Sequence, residues 1–327
     1  MIPGLRALQP NARAIAGVFI FLCAALLQGC VSFTPQTKSL AQSPPPGIPG
    51  MRELTEVPFF PQSDYQCGPA ALATVMVAAG VKVTPDELVP EVYLPERKGS
   101  LQVEMLAAAR RHGLVSYQLA PSYGDLIREI AAGTPVILLQ NLGIKEGWHY
   151  AVAMGYDWDN GMLQLRSGRN ERQELPFAMN EMAWRRSGYW AMVAMPPDRI
   201  PASADEERWL AAVAALERTG QSAPARTAYR TFLERWPANV NAAVGLANTH
   251  HALGELGDAE RVLREAAKRD PDSVIVLNNL AQTLLDQGRP AEALPLIERA
   301  AAAGGPYAST VQETRQSILQ KISQQKN

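Results

Sequence analysis

Three cysteines, four histidines and 7% aromatic residues in a chain of 327 leave few groups with which to do chemistry, and each shortage excludes something. No spacing of Cys, His and carboxylates offers the four ligands of a metal cage. No glycine-rich loop is placed to cradle phosphates. The charges nearly cancel, 31 Lys and Arg against 32 Asp and Glu, with no run of one sign. Nucleic acid is therefore not expected as a partner. No apolar run reaches the ~20 residues that a membrane-spanning helix needs. The chain is thus expected to work with ordinary side chains, without cofactor or metal.

The first thirty residues carry a signal of their own. Arg6 and Arg13 precede an apolar run, Ile15 to Leu27, broken only by Gly17. A short apolar run behind positive charge is the pattern of a secretory signal. It ends Leu27-Gln28-Gly29-Cys30, which resembles the lipobox of bacterial lipoproteins. The resemblance implies that residues 1–29 are removed and that Cys30 is lipidated, which anchors the chain to a membrane. Val31 stands where an Asp would retain such a protein at the inner membrane, so an outer-membrane position facing the periplasm is expected. Cys23 then leaves with the signal and Cys30 is consumed by lipid. Cys67 remains as a single thiol in an oxidising compartment, with no partner for a disulfide.

Composition divides the remaining chain. Residues 30–52 are rich in Pro, Ser, Gln and Gly and read as a flexible tether. Residues 53–196 alternate strand-like and helix-like segments. Residues 197–206 read as a linker, and 207–327 are Ala- and Leu-rich with helical periodicity. That last region repeats. Gly220, Gly254 and Gly288 lie 34 residues apart, as do Ala225, Ala259 and Ala293, and Pro237 and Pro271 keep the same step. Trp209, Ala243 and Leu277 hold one equivalent place in three first helices. A 34-residue period with small residues at helix crossings is similar to the tetratricopeptide repeat. Three repeats are expected, at 207–239, 240–273 and 274–306, closed by a polar helix near 307–324. The resemblance implies a solenoid that recruits a partner protein.

In the middle region a short strand is expected at Val57–Phe60. Cys67 then stands before Gly68-Pro69, and Pro suits the first turn of a helix. Ala70 to Ala79 continues that helix and Gly80 ends it. A thiol at a helix N-terminus is expected to have its pKa lowered. A thiolate nucleophile needs a base. His250 and His251 belong to the repeats, and His112 ends a helix. His149 opens an apolar strand 82 residues after Cys67, the order in which papain-type sites place Cys and His.

Gln62, Cys67-Gly68-Pro69-Ala70-Ala71-Leu72 and His149-Tyr150-Ala151-Val152 with Gly155-Tyr156-Asp157 resemble the bacteriocin-processing, double-glycine-leader peptidases of the papain superfamily. The resemblance covers about residues 55–195. It implies Cys67 as nucleophile, His149 as general base, and Gln62 as oxyanion donor, with Gln66 as the rival glutamine. The family orients its His with an Asp at the end of the next strand. Here no Asp stands there. Hairpin counting places residue 169, within two, opposite His149, which leaves Ser167 and Asn170 as possible orienters. The expected architecture is an α+β papain-like cysteine peptidase domain followed by an all-α TPR solenoid. The expected function is hydrolysis of a peptide or protein substrate. The alternative is a peptidase-like binding module that acts as an envelope scaffold. Mass spectrometry of the mature protein should find an acylated Cys30 at its N-terminus; an unmodified N-terminus at another residue removes the lipoprotein assignment.

Overall fold

A computed structural model describes residues 34–62, 66–145 and 147–325. The signal segment and Cys30 lie outside the described residues. The first domain contains, in order, helix α1 (Pro35–Gln42), strand β1 (Met51–Glu53), helices α2 (Cys67–Ala78) and α3 (Pro85–Val92), and a small hairpin of β2 (Tyr93–Leu94) and β3 (Gly99–Ser100). It continues with α4 (Gln102–Arg111), β4 (Val115–Gln118), α5 (Tyr123–Ala131), β5 (Val136–Asn141), β6 (Trp148–Asp157), β7 (Met162–Ser167), β8 (Asn170–Pro176), α6 (Phe177–Trp184) and β9 (Ala191–Met195).

The main sheet runs β4-β9-β5-β6-β7-β8, with β1 added beside the far end of β6. Its central strands are buried on both faces, so they read as continuous apolar runs. Ile137, Leu139, Tyr150 and Val152 face a layer built on α2, α3 and α4. Val136, Leu138, Ala151 and Ala153 face the opposite layer, which includes α5. Strand alternation, with its period of two, produces this division. Val57–Phe60 forms no strand; Met51–Glu53, just upstream, pairs with β6 instead.

The stretch expected as a tether is largely built into the domain. Leu40 of α1 is buried. The backbone N–H groups of Gln36 and Thr37, unpaired at a helix start, donate to the Glu181 carboxylate at 2.9 and 2.7 Å. Gln36 also accepts from the Tyr123 backbone N–H at 2.6 Å. Composition read alone missed this, because one leucine and one well-placed carboxylate hold a segment otherwise rich in polar residues.

The second domain is a row of helix pairs: α7 (Glu206–Glu217) with α8 (Ser222–Arg235), α9 (Val240–Ala252) with α10 (Leu256–Arg269), and α11 (Val274–Asp286) with α12 (Pro290–Ala303), closed by α13 (Ala308–Gln325). Gly220, Gly254 and Gly288 turn each pair with φ of 77°, 76° and 75°, a left-handed backbone that glycine enters without steric cost. Ala225, Ala259 and Ala293 are wholly buried where the paired helices cross.

The segment 197–206 does not separate the two domains. Ser203 donates its backbone N–H to the buried Glu129 at 2.7 Å. Tyr117 of β4 meets Trp209 of α7 edge to face, with ring centroids 5.7 Å apart. Gln221 donates to the Arg111 carbonyl at 2.9 Å. The apolar core therefore runs without a break from the sheet into the repeats.

Gly245 in α9 is held by packing. A Cβ there would lie 2.3 Å from the Tyr229 ring of the preceding helix. Tyr229 is 2% exposed and its hydroxyl donates to Glu217 at 2.6 Å, so the ring has little room to move. Alanine gains ~1 kcal/mol of helix propensity over glycine, whereas overpacking a filled core costs ~1–3 kcal/mol. Gly245→Ala should therefore lower the unfolding free energy by up to about 2 kcal/mol in urea titration, and a raised value refutes the packing account.

Candidate active site

Cys67 is the first residue of α2 and is partly buried. The next residue has to be glycine: a Cβ at Gly68 would stand 2.2 Å from the Ser100 hydroxyl of β3. The small hairpin thus presses against the start of the helix. Backbone N–H groups of Tyr150, Gly68 and Cys67 itself favour the thiolate, but burial outweighs them and pushes the thiol above its ordinary value. The expected lowering is reversed. A helix N-terminus supplies partial charge only, and desolvation of an anion is the larger effect.

His149 is the second residue of β6 and pairs with Gln140 of β5. Its Nε2 lies 2.9 Å from Ser167 Oγ at the end of β7. Burial alone lowers the imidazole to about 4. Tyr150, the next residue, brings its backbone N–H to the Cys67 thiol. Of the two possible orienters, the structure brings Ser167 to His149 and leaves Asn170 aside. Asn170 opens β8 opposite Ser167 and is exposed. Counting back from the turn could not separate them, because each ladder slips by a residue, at Ala153/Gly155 and at Leu165/Ser167. Asp157 caps the distant turn, accepting from the Asn160 backbone at 3.1 Å.

Gln62 is held from both sides. Its backbone N–H donates to the Gly168 carbonyl at 3.0 Å, and its side-chain amide lies 3.5 Å from the Tyr150 carbonyl. Arg166 fixes the incoming chain by donating to the Val57 carbonyl at 2.8 Å. Gln62, Cys67 and His149 line one cleft of about 1030 Å³. Gln66 precedes α2 without a side-chain capping bond and lines a smaller neighbouring depression. Trp148, 56% exposed, forms part of the cleft wall.

The remaining histidines pair with carboxylates. His112 meets Glu91 at 2.8 Å and His251 meets Asp286 at 2.7 Å. His250, Glu255 and Asp258 gather with ligand atoms within 4.8 Å of one another, a group not apparent from the sequence. Glu255 is there also paired with Arg226, so the group reads as an ion network at a repeat turn. Sequence reasoning also missed Ser100, Arg97 and Arg186 in the cleft lining. They come from separate elements, and nothing in the chain near Cys67 or His149 signals them.

Residues 54–192 match the Peptidase_C39 like family, and residues 210–274 and 252–309 match the tetratricopeptide repeat. The chain carries a C39-like peptidase domain followed by tetratricopeptide repeats. Similar solved structures include a protein from Bacillus anthracis described as a C39-like peptidase, 18% identical, spanning 44% of this chain and 97% of its own, with a TM-score of 0.38. A double glycine motif protease from an AMS/PCAT transporter, in complex with the leader peptide, is 18% identical over 44% of this chain and 96% of its own, with a TM-score of 0.33. On the repeat side, the Yersinia enterocolitica type III secretion translocator chaperone SycD is 19% identical over 36% of this chain and 93% of its own, with a TM-score of 0.34. No curated protein matches the chain.

The lowered His149 value has a consequence for the stability of the C39-like domain. An imidazole with a folded pKa near 4 and an ordinary value of 6.5 binds its proton more readily in the unfolded chain. Stability is then complete above about 6.5 and falls as the pH drops from there towards 4. Urea denaturation at about pH 4.5 and about pH 7.5 should show this loss, and His149→Gln should make it shallower. An equal pH dependence in the variant rules out His149 as its source.

Proposed function

We propose that the C39-like domain is a cysteine peptidase and that the repeats recruit its protein substrate or a partner. What carries the reading is that the one thiol among the described residues, a histidine tied to a hydroxyl, and a glutamine amide all line the same cleft. Cys67 attacks the peptide carbonyl as His149 takes the thiol proton on the ring nitrogen not engaged by Ser167. The Gln62 amide and the Cys67 backbone N–H stabilise the oxyanion. The imidazolium then protonates the leaving amine, and a thioester remains on Cys67. Water, deprotonated by His149, hydrolyses it and restores the free thiol. The signal pattern adds an envelope location with Cys30 as the lipid anchor to the outer membrane.

A second reading, a catalytically weak binding module, is favoured by one observation. Thiol and imidazole are both neutral at about pH 7, and the orienting group is a serine hydroxyl. Proton transfer from Cys67 to His149 therefore runs uphill, and among the described residues no carboxylate is bonded to the imidazole.

Turnover of a quenched fluorescent peptide library separates the two. Cys67→Ala should abolish it, His149→Ala should cost nearly as much, and the double variant should be no worse, since members of one catalytic unit are non-additive. Gln62→Ala should lower turnover by ~10²–10³, the scale for one oxyanion donor. Ser167→Asp should raise the His149 pKa and increase turnover, because an anion beside the ring favours its protonated form. Turnover that survives Cys67→Ala rules out the peptidase; no turnover even with Ser167→Asp supports the binding module.

A further inference from the structure

The charge of the cleft is at odds with that of the chain. Acids and bases are nearly equal overall, yet Arg97, Lys98, Arg169 and Arg186 all line the cleft, and no carboxylate does so among the described residues. These cations arrive from three places. Arg97 and Lys98 lie in the loop between β2 and β3, Arg169 in the turn between β7 and β8, and Arg186 just after α6. Three independent loops with one sign around one opening are not explained by local composition.

Arg97, Arg169 and Arg186 are exposed. Neither Arg97 nor Arg169 has a carboxylate partner among the described residues. Arg186 is positioned by the neutral Asn141 carbonyl, to which it donates at 3.1 Å, so its charge is steered without being cancelled. Lys98 takes a left-handed backbone, φ 48°. Such a conformation costs a residue with a Cβ of order 1 kcal/mol and collects at binding sites. Glycine or asparagine would avoid that cost, but only a basic residue supplies a cation at that point of the rim. Beside these charges stands the exposed indole of Trp148.

Resting on the peptidase reading for its location, we infer that the cleft selects acidic polypeptide segments, with Asp or Glu side chains near the bond held over Cys67. Each exposed ion pair contributes little, so selection comes from several pairs acting together. It is strongest at low ionic strength, where the screening length is longest. The arginines add planar, bidentate donors matched to a carboxylate.

Binding tests this without relying on turnover. The probe is a short fluorescent peptide rich in Asp, compared with the same peptide carrying Asn at those positions, on the full protein with Cys67→Ala. The Asp peptide should bind at least ~5-fold more tightly in low salt, and the difference should vanish near ~1 M salt. Arg97→Glu with Arg169→Glu should remove most of the preference, while circular dichroism remains that of the parent. A preference that persists in this double variant, or equal affinity for the two peptides, overturns the inference. The peptidase reading falls separately, if wild-type turnover of the library survives Cys67→Ala.

Discussion

The register of β6 is the constraint on which the site depends. This ten-residue strand pairs with β5 along its first half, with β1 at its far end, and with β7 on the opposite edge. One strand thus sets three relationships. His149 sits at its mouth, the Tyr150 backbone reaches the Cys67 thiol, and Ser167 arrives on the neighbouring strand opposite the imidazole. A slip of one residue would turn every side chain of β6 to the other face. It would part the His149 imidazole from Ser167 and take the Tyr150 backbone N–H away from the Cys67 thiol. Two buried apolar layers, one on each face of the sheet, oppose that slip.

The same burial that secures the register sets the electrostatics. Cys67 and His149 are each taken far enough from water that the charged form is disfavoured in both. A helix N-terminus and three N–H groups do not offset desolvation of the thiolate. A serine hydroxyl cannot do for the imidazolium what a carboxylate would. The resting site is therefore a neutral, largely desolvated pair at the wall of a basic cleft. A step that separates charge there would run against desolvation of both groups.

How much of this was legible in the sequence depends on the range over which each feature acts. The repeats were readable because a 34-residue period writes the same glycine and alanine three times, and each landmark performs a local task. Cys67, Gly68 and His149 were readable because a helix start and a strand start have local signatures. Gln62 was preferred to Gln66 in the sequence because a residue adjacent to the thiol can hardly reach round it, and of the two only Gln62 lines the cleft with Cys67. Ser167 and Asn170 differ by three positions and by two slips of register that no counting rule contains. Helix α1 was hidden because its docking depends on Glu181, some 145 residues away. The basic rim was hidden for the same reason: three loops, unremarkable singly, converge only in space.

Tyr117 against Trp209 and Glu129 against Ser203 turn what looked like a linker into a weld. A solenoid welded to the C39-like domain does not search space around it. The span between any point on the repeats and Cys67 is fixed by the fold in the way a caliper is fixed by its screw. A polypeptide gripped at one end by the repeats would present to the thiol only the stretch lying one such span away. Position along the substrate would then be measured by length as well as read from local side chains.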